Sequence, residues 1–236
     1  MVVTRAVLLT TLVISAALTA TASATTQIGQ TVSPTASCSG NYADFQGASL
    51  NNQFVVPYDG VITSWSFLGQ LLTVPSQMKL ELARVHASTL DVVAKSDVQF
   101  PVANQLKTFS SRVPAQTGEV IGFYFPSPSF VACATAPAPG YTMVFVSGDV
   151  APGTNNLAFT STPSVHLDLS ARLEPDADHD GYGDETQDQC PTDASTQGPC
   201  RVPVTGQRAA ALKKCKKKHS ARARRRCRKK AKLLPI

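Results

Sequence analysis

Between residues 176 and 191 the chain reads DADHDGYGDETQDQCP, with carboxylates at alternate positions: Asp176, Asp178 and Asp180. Gly181 follows at once, and Asp184 stands three residues further on. A hard cation such as Ca2+ takes about six to eight oxygen ligands at about 2.3–2.6 Å. Alternate acids on a tightly curled loop turn several side-chain oxygens toward one centre, and a glycine in sixth place permits the sharp turn. Tyr182, in seventh place, would offer its backbone carbonyl. Asp184, in ninth, would act directly or through a water. The twelfth residue is Gln187 and the thirteenth is Asp188. The closing ligand is assigned to Asp188, with the neutral oxygen of Gln187 as the alternative. The expected metal set is therefore Asp176, Asp178, Asp180, Tyr182, Asp184 and Asp188. A solvated acidic linker is the competing reading, but D-x-D-x-D-G with a further Asp is more ordered than a linker requires.

The run D-x-D-x-D-G-x-G-D, followed by Cys190-Pro191, resembles a thrombospondin type 3 repeat, and more loosely the dockerin and EF-hand calcium loops. The resemblance implies Ca2+ as the bound cofactor. It covers residues 176–191 of 236, in a single copy, and the last Asp and the Cys-Pro arrive one residue later than in the family pattern.

What positions this loop is the chain before it. Residues 25–173 are long enough for one sizeable core, and their signals are those of strands. In residues 61–67, Val61, Thr63, Trp65 and Phe67 alternate with Ile62, Ser64 and Ser66. Met78, Leu80 and Leu82 alternate with Lys79, Glu81 and Ala83. Further runs lie at 54–56, 92–94, 106–113, 120–125, 141–146 and 165–173, separated by turn residues and Pro, and none has a helical period. In the last run, His166, Asp168 and Ser170 read as the solvent face. The expected fold is mainly β, a jelly-roll-like antiparallel β-sandwich, followed by the calcium loop at 174–200 and a basic tail at 201–236.

Residues 1–24 read as an export signal. Arg5 supplies the cationic start, residues 6–18 an apolar core, and Ala22-Ser23-Ala24 a small-residue cleavage pattern. The mature chain is expected to be secreted, with no transmembrane segment. All six cysteines follow the signal, and export makes disulfides of them. Their placement favours Cys190–Cys200 beside the acidic loop, Cys215–Cys227 in the tail, and Cys38–Cys133 across the large domain. A zinc site built from the last four is the alternative, though none of the spacings is C-x-x-C.

Charge is strongly partitioned. Fifteen of the 22 Lys and Arg residues lie in 201–236, which holds no acid, while eight of the sixteen acids lie between positions 174 and 193. The tail reads either as a helical hairpin over 208–218 and 221–233, with Ser220 as N-cap, or as a disordered polycation. For an exported chain the fitting partner is an anionic cell-wall polymer or polysaccharide, or an anionic lipid surface. Nucleic acid is disfavoured as a physiological partner, because the tail has no aromatic residue on which bases could stack.

The sandwich carries no catalytic motif: no H-E-x-x-H, no G-x-S-x-G and no phosphate-cradling glycine loop. His166 and Asp168 share a strand face and are the candidates for a dispersed triad. Trp65, in alternation with Val and Phe, reads as a core residue, with stacking on a sugar ring as the alternative; Tyr124 and Tyr141 are open to the same two readings, and residues 127–130 offer a rim for a carbohydrate-binding face. The resulting expectation is a secreted, calcium-binding, cell-envelope-associated binding or structural protein. The alternative is a wall-glycan hydrolase targeted by its cationic tail.

Overall fold

The computed structural model describes residues 24–70, 77–126, 130–200 and 206–234. The export-signal reading lies outside them save for Ala24, as does the rim at 127–130 save for the backbone of Phe130. Among the described residues fourteen strands form antiparallel sheets consistent with a β-sandwich. In chain order the first seven are β1 (Thr26–Gln30), β2 (Ala36–Ser39), β3 (Tyr42–Ala48), β4 (Gly60–Gly69), β5 (Lys79–Val85), β6 (Thr89–Lys95) and β7 (Gln105–Ala115). The remainder are β8 (Val120–Phe125), β9 (Phe130–Thr135), β10 (Thr142–Ser147), β11 (Thr154–Ala158), β12 (Thr160–Pro163), β13 (His166–Leu167) and β14 (Leu169–Glu174). A four-stranded sheet runs β1-β14-β4-β7, a seven-stranded sheet β11-β6-β5-β8-β3-β10-β12, and a three-stranded sheet β13-β9-β2.

The main core lies between the sheets. Ile28, Trp65, Phe67, Leu169 and Leu173 from the four-stranded sheet meet Leu80, Leu82, Ile121, Phe123 and Phe125 from the seven-stranded one. Trp65 is therefore a core residue, 1 % exposed and packed on Phe109, and it is not available to stack on a sugar. The seven-stranded sheet is also covered on its other face. There Phe45, Ala83, Val92, Tyr124 and Val144 form a second cluster under Leu157 and Phe159. Burial on both faces explains why β8, Val-Ile-Gly-Phe-Tyr-Phe, has no polar alternation. Tyr124 belongs to that cluster, and Tyr141 packs edge-on against Phe54 and His166.

The 165–173 run departs from the single strand expected of it. It breaks at Asp168, with β13 in one sheet and β14 in another. Asp168 is fully buried, and its carboxylate accepts the N–H of Val32 (2.7 Å) and of Leu68 (3.2 Å). It thus ties three segments together at the corner where the chain changes sheets. His166 is buried too, between the rings of Phe54 and Tyr141 at 5.2 and 4.6 Å. The supposed solvent face is therefore interior, and neither member of the suspected catalytic pair is presented to a substrate. Gln46 performs a similar tie: its amide N–H groups reach the carbonyls of Ala48, Thr142 and Val165, and its oxygen accepts the N–H of Leu167 at 2.7 Å.

Disulfides join Cys38 to Cys133, Cys190 to Cys200, and Cys215 to Cys227. The first bridges β2 and β9. In the tail, α1 (Gln207–Lys216) and α2 (Ala221–Ala231) pack on each other, and Cys215 is fully buried at their contact. Ser220 caps α2 by accepting the N–H of Ala223 at 3.1 Å. Among the described residues no helix is long and apolar enough to cross a membrane.

Candidate metal centre

The acidic loop is built from its first residue outward. The Asp176 carboxylate accepts the N–H groups of Asp180 (3.1 Å) and Gly181 (3.0 Å), which curls the chain around it. Gly181 sits at φ 84°, the left-handed region that a side chain would strain, so the glycine is required by the turn. Asp180 accepts the N–H of Tyr182 at 2.9 Å and the side-chain amide of Gln197 at 2.7 Å. Gln197 is held there by the Cys190–Cys200 disulfide loop, whose backbone also pairs Gln189 with Gln197. Asp184 accepts the N–H of Ala177 with both oxygens at 3.2 Å.

One carboxylate oxygen from each of Asp176, Asp178 and Asp180 lies within 4.8 Å of the others. Both oxygens of Asp178 are withdrawn from water and have no hydrogen-bond partner, and the same holds for one oxygen of Asp188. Asp188 is only 4 % exposed, and its other oxygen accepts the N–H of Cys190 at 2.8 Å. Burial, then the charges of Asp180, Asp188 and Asp176, holds the Asp178 carboxyl above the usual carboxylate range. Burial and the charges of Asp176, Asp178 and Asp188 likewise push Asp184 up, against the hydrogen bond from Ala177. Asp178 and Asp184 therefore each feel the negative charge of their neighbours in the loop.

Gln187 is turned elsewhere. Its amide N–H donates to the carbonyl of Ser111 in β7 at 2.8 Å, and its oxygen accepts the N–H of Gly183 at 3.3 Å. The Tyr182 ring lies under the Arg112 guanidinium at 4.2 Å. That leaves the backbone carbonyl as the group Tyr182 could offer an ion.

The residue that sequence reasoning missed is Glu174, the last of β14. It is fully buried. One oxygen accepts the hydroxyls of Thr63 (2.9 Å) and Thr186 (2.8 Å), and the other accepts the N–H groups of Glu185 (3.2 Å) and Thr186 (2.9 Å). A Cβ on Gly183 would meet this carboxylate at 2.5 Å, so glycine is what allows the loop to close on it. Glu185 in turn accepts the N–H of Thr25 at 2.7 Å, just before β1. The acidic segment is thus anchored to the four-stranded sheet on three of its strands rather than strung between domains. Sequence offered only its place directly after the 165–173 run, since its partners are 111 and 12 residues away.

The donor set is all oxygen, with carboxylates and a carbonyl and neither thiolate nor imidazole, which suits a hard cation over zinc or copper. His179 stands within the loop but is exposed. Comparison with protein-family models, curated proteins and solved structures returns no match to this chain.

Proposed function

We propose that this chain is a secreted, jelly-roll-like β-sandwich whose docked acidic loop binds one Ca2+ ion in the manner of a thrombospondin type 3 repeat, and whose cationic tail holds it on an anionic cell-envelope polymer. The observation that carries the metal assignment is the set of buried, unpartnered carboxylate oxygens on Asp178 and Asp188. Leaving several such oxygens desolvated costs kilocalories each, and a divalent cation removes that cost. Asp176, Asp178, Asp180, Asp184 and Asp188, with the Tyr182 carbonyl, would hold the ion. Gln187, spent on Ser111, would not. The ion supplies charge neutralisation, and the role is structural: it locks the loop against the sandwich.

The tail supports the second half of the reading. Ala221, Arg224, Arg225, Arg228, Lys229 and Lys232 line one shallow groove along α2, a row of five cations at helical spacing. A polyanion with regularly spaced phosphates or carboxylates fits such a row. Export, three disulfides and an acid-free tail belong together in this reading.

Calorimetric titration of the mature chain with CaCl2 tests the metal. One site is expected, with affinity in the range of about 10⁻⁴–10⁻³ M typical of extracellular modules or tighter. Asp178→Asn plus Asp188→Asn abolishes the heat, and Gln187→Ala keeps it. Equal heats for the wild type and the double variant defeat the assignment. Salt-sensitive retention on a polyglycerol-phosphate matrix, lost on deletion of residues 201–236, tests the tail.

A further inference from the structure

A second candidate lies where the seven-stranded sheet faces β2 and β9. A pocket of about 440 Å³ opens there, within the range of small-molecule sites. Ala36, Met143 and Val165 make its walls apolar, and Tyr42 and Phe145 stand together at its mouth, edge to face at 5.4 Å. Tyr42 is 36 % exposed, whereas Asp44, which also lines the pocket, is 3 % exposed. One oxygen of Asp44 has no hydrogen-bond partner. Among the described residues no Lys or Arg pairs with it.

Charges nearby do not relieve it. Phe45 and Glu81 both stand in register with Gly122, so Glu81 lies on the side of the sheet opposite Asp44. Lys95 contacts Glu81 at 2.9 Å and also Asp149, and Lys79 contacts Asp149 at 2.5 Å; both lysines are spent on that other face. Asp44 is therefore a lone carboxyl at the bottom of an apolar, aromatic-mouthed pocket, and it feels a second carboxylate through the sheet. A purely structural pocket floor would be better filled by Asn or an apolar residue. An anion would be repelled; Ser37, Ser39 and Thr162 also line the pocket, but a neutral polyol bound to their hydroxyls leaves the Asp44 charge uncompensated.

We propose that this pocket binds a small organic cation, an alkyl- or aryl-ammonium group. The charged nitrogen seats on Asp44 and against the faces of Tyr42 and Phe145, and the apolar part lies along Met143, Ala36 and Val165. Carboxylate pairing supplies the specificity for charge, and the two rings add cation–π attraction. Burial, reinforced by Glu81, raises the Asp44 carboxyl to about 7, as expected for an acid waiting for a counter-charge. The site is separate from the acidic loop and does not depend on the calcium reading.

The test is a titration of the isotope-labelled mature chain at pH 8 with n-butylammonium, n-butanol and butyrate at matched ionic strength, followed by amide chemical shifts. Butylammonium is expected to shift Ala36, Tyr42, Asp44 and Met143, with butanol much weaker and butyrate inert. Asp44→Asn, with shift dispersion retained, is expected to weaken butylammonium by about thirtyfold or more. Thr162→Phe, which fills the pocket from its rim strand, is expected to block binding with Asp44 intact. Equal responses to the cation and the alcohol overturn the proposal. So do unchanged affinity in Asp44→Asn and shifts confined to residues 176–188.

Discussion

The carboxylate of Glu174 takes both the hydroxyl and the backbone N–H of Thr186, at 2.8 and 2.9 Å, while fully buried at the end of β14. One side chain thus joins the last strand of the sandwich to the far arm of the acidic loop. With Thr63 bound to the same carboxylate, the loop and β4 share an anchor.

Removing that anchor leaves the N–H groups of Glu185 and Thr186 without their acceptor. Glu174→Ala is expected to cost about 3 kcal/mol in urea denaturation of the whole chain, and Glu174→Gln about half that, since the amide keeps one acceptor oxygen. Both variants are expected to weaken Ca2+ binding with every proposed ligand intact. An alanine variant within about 0.5 kcal/mol of wild type removes the anchoring role.

His166 predicts an acid-side instability. Burial between Phe54 and Tyr141 lowers its pKa, so the folded protein keeps the ring neutral. The unfolded chain takes up a proton near its ordinary value of 6.5, before the folded chain does. Below that pH the unfolded state binds more protons, and stability falls as pH drops. His166→Phe keeps the aromatic packing and is expected to flatten the stability profile between pH 6.5 and 5. An unchanged slope in that variant assigns the acid sensitivity elsewhere.

How far the sequence reached depends on which faces are buried. β5 was legible because Leu80 and Leu82 face the main core in a clean alternation. β3 was not, because its two faces mislead together: Ala43 and Phe45 enter the second cluster, while Asp44 and Gln46 are buried opposite them. Polar residues on an interior face mimic a loop. The 165–173 run reads locally as one half-exposed strand, since the hydrogen bonds that make Asp168 an interior corner come from Val32 and Leu68. In the acidic loop, spacing alone gathered Asp176, Asp178 and Asp180. The difference between Gln187 and Asp188 rests on a carbonyl of β7 that is 76 residues distant, and no local pattern carries that information.

Asp44 and Asp168 are both raised from 3.8 to about 7 by burial, yet their substitutions are expected to diverge. A carboxyl whose folded pKa exceeds its unfolded value holds its proton longer in the folded state. Stability from it is present near pH 4 and is lost as pH rises toward 7. Asp44 has an unpartnered oxygen, so Asp44→Asn is expected to stabilise the ligand-free protein at pH 8 by on the order of 2 kcal/mol, and by far less at pH 4. Asp168→Asn replaces an acceptor of a backbone N–H with a donor and is expected to destabilise at both pH values. Thermal denaturation of the two variants at pH 4 and pH 8 separates them. A destabilised Asp44→Asn at pH 8 would mean that the carboxylate is already satisfied. A gain for Asp44→Asn would show a stability cost retained at the pocket, as binding sites commonly retain one.

The tail turns on a single covalent bond. Its helices have ten and eleven residues, each shorter than the roughly 12–15 that an isolated helix needs in water. Along α2, Arg224 and Arg228, Arg225 and Lys229, and Arg228 and Lys232 are like charges four apart, each pair costing about 0.2–0.5 kcal/mol. Against this stand the Ser220 cap, the Arg208 bonds to the carbonyls of Lys232 and Leu234, and the Cys215–Cys227 bridge, whose two Cα atoms are 5.4 Å apart. Cys215→Ser with Cys227→Ser is therefore expected to lose most of the tail helix, read as a fall in the 222 nm ellipticity or as fast amide exchange over residues 207–231. Molar salt should restore part of it by screening the repulsion. A polyphosphate added at low salt should restore more, because it neutralises the Arg224–Lys232 row directly, while the disulfide-intact tail changes little. Equal helix content with and without the bridge would make the charge row self-supporting and remove the disulfide from the account of how the tail presents its cations.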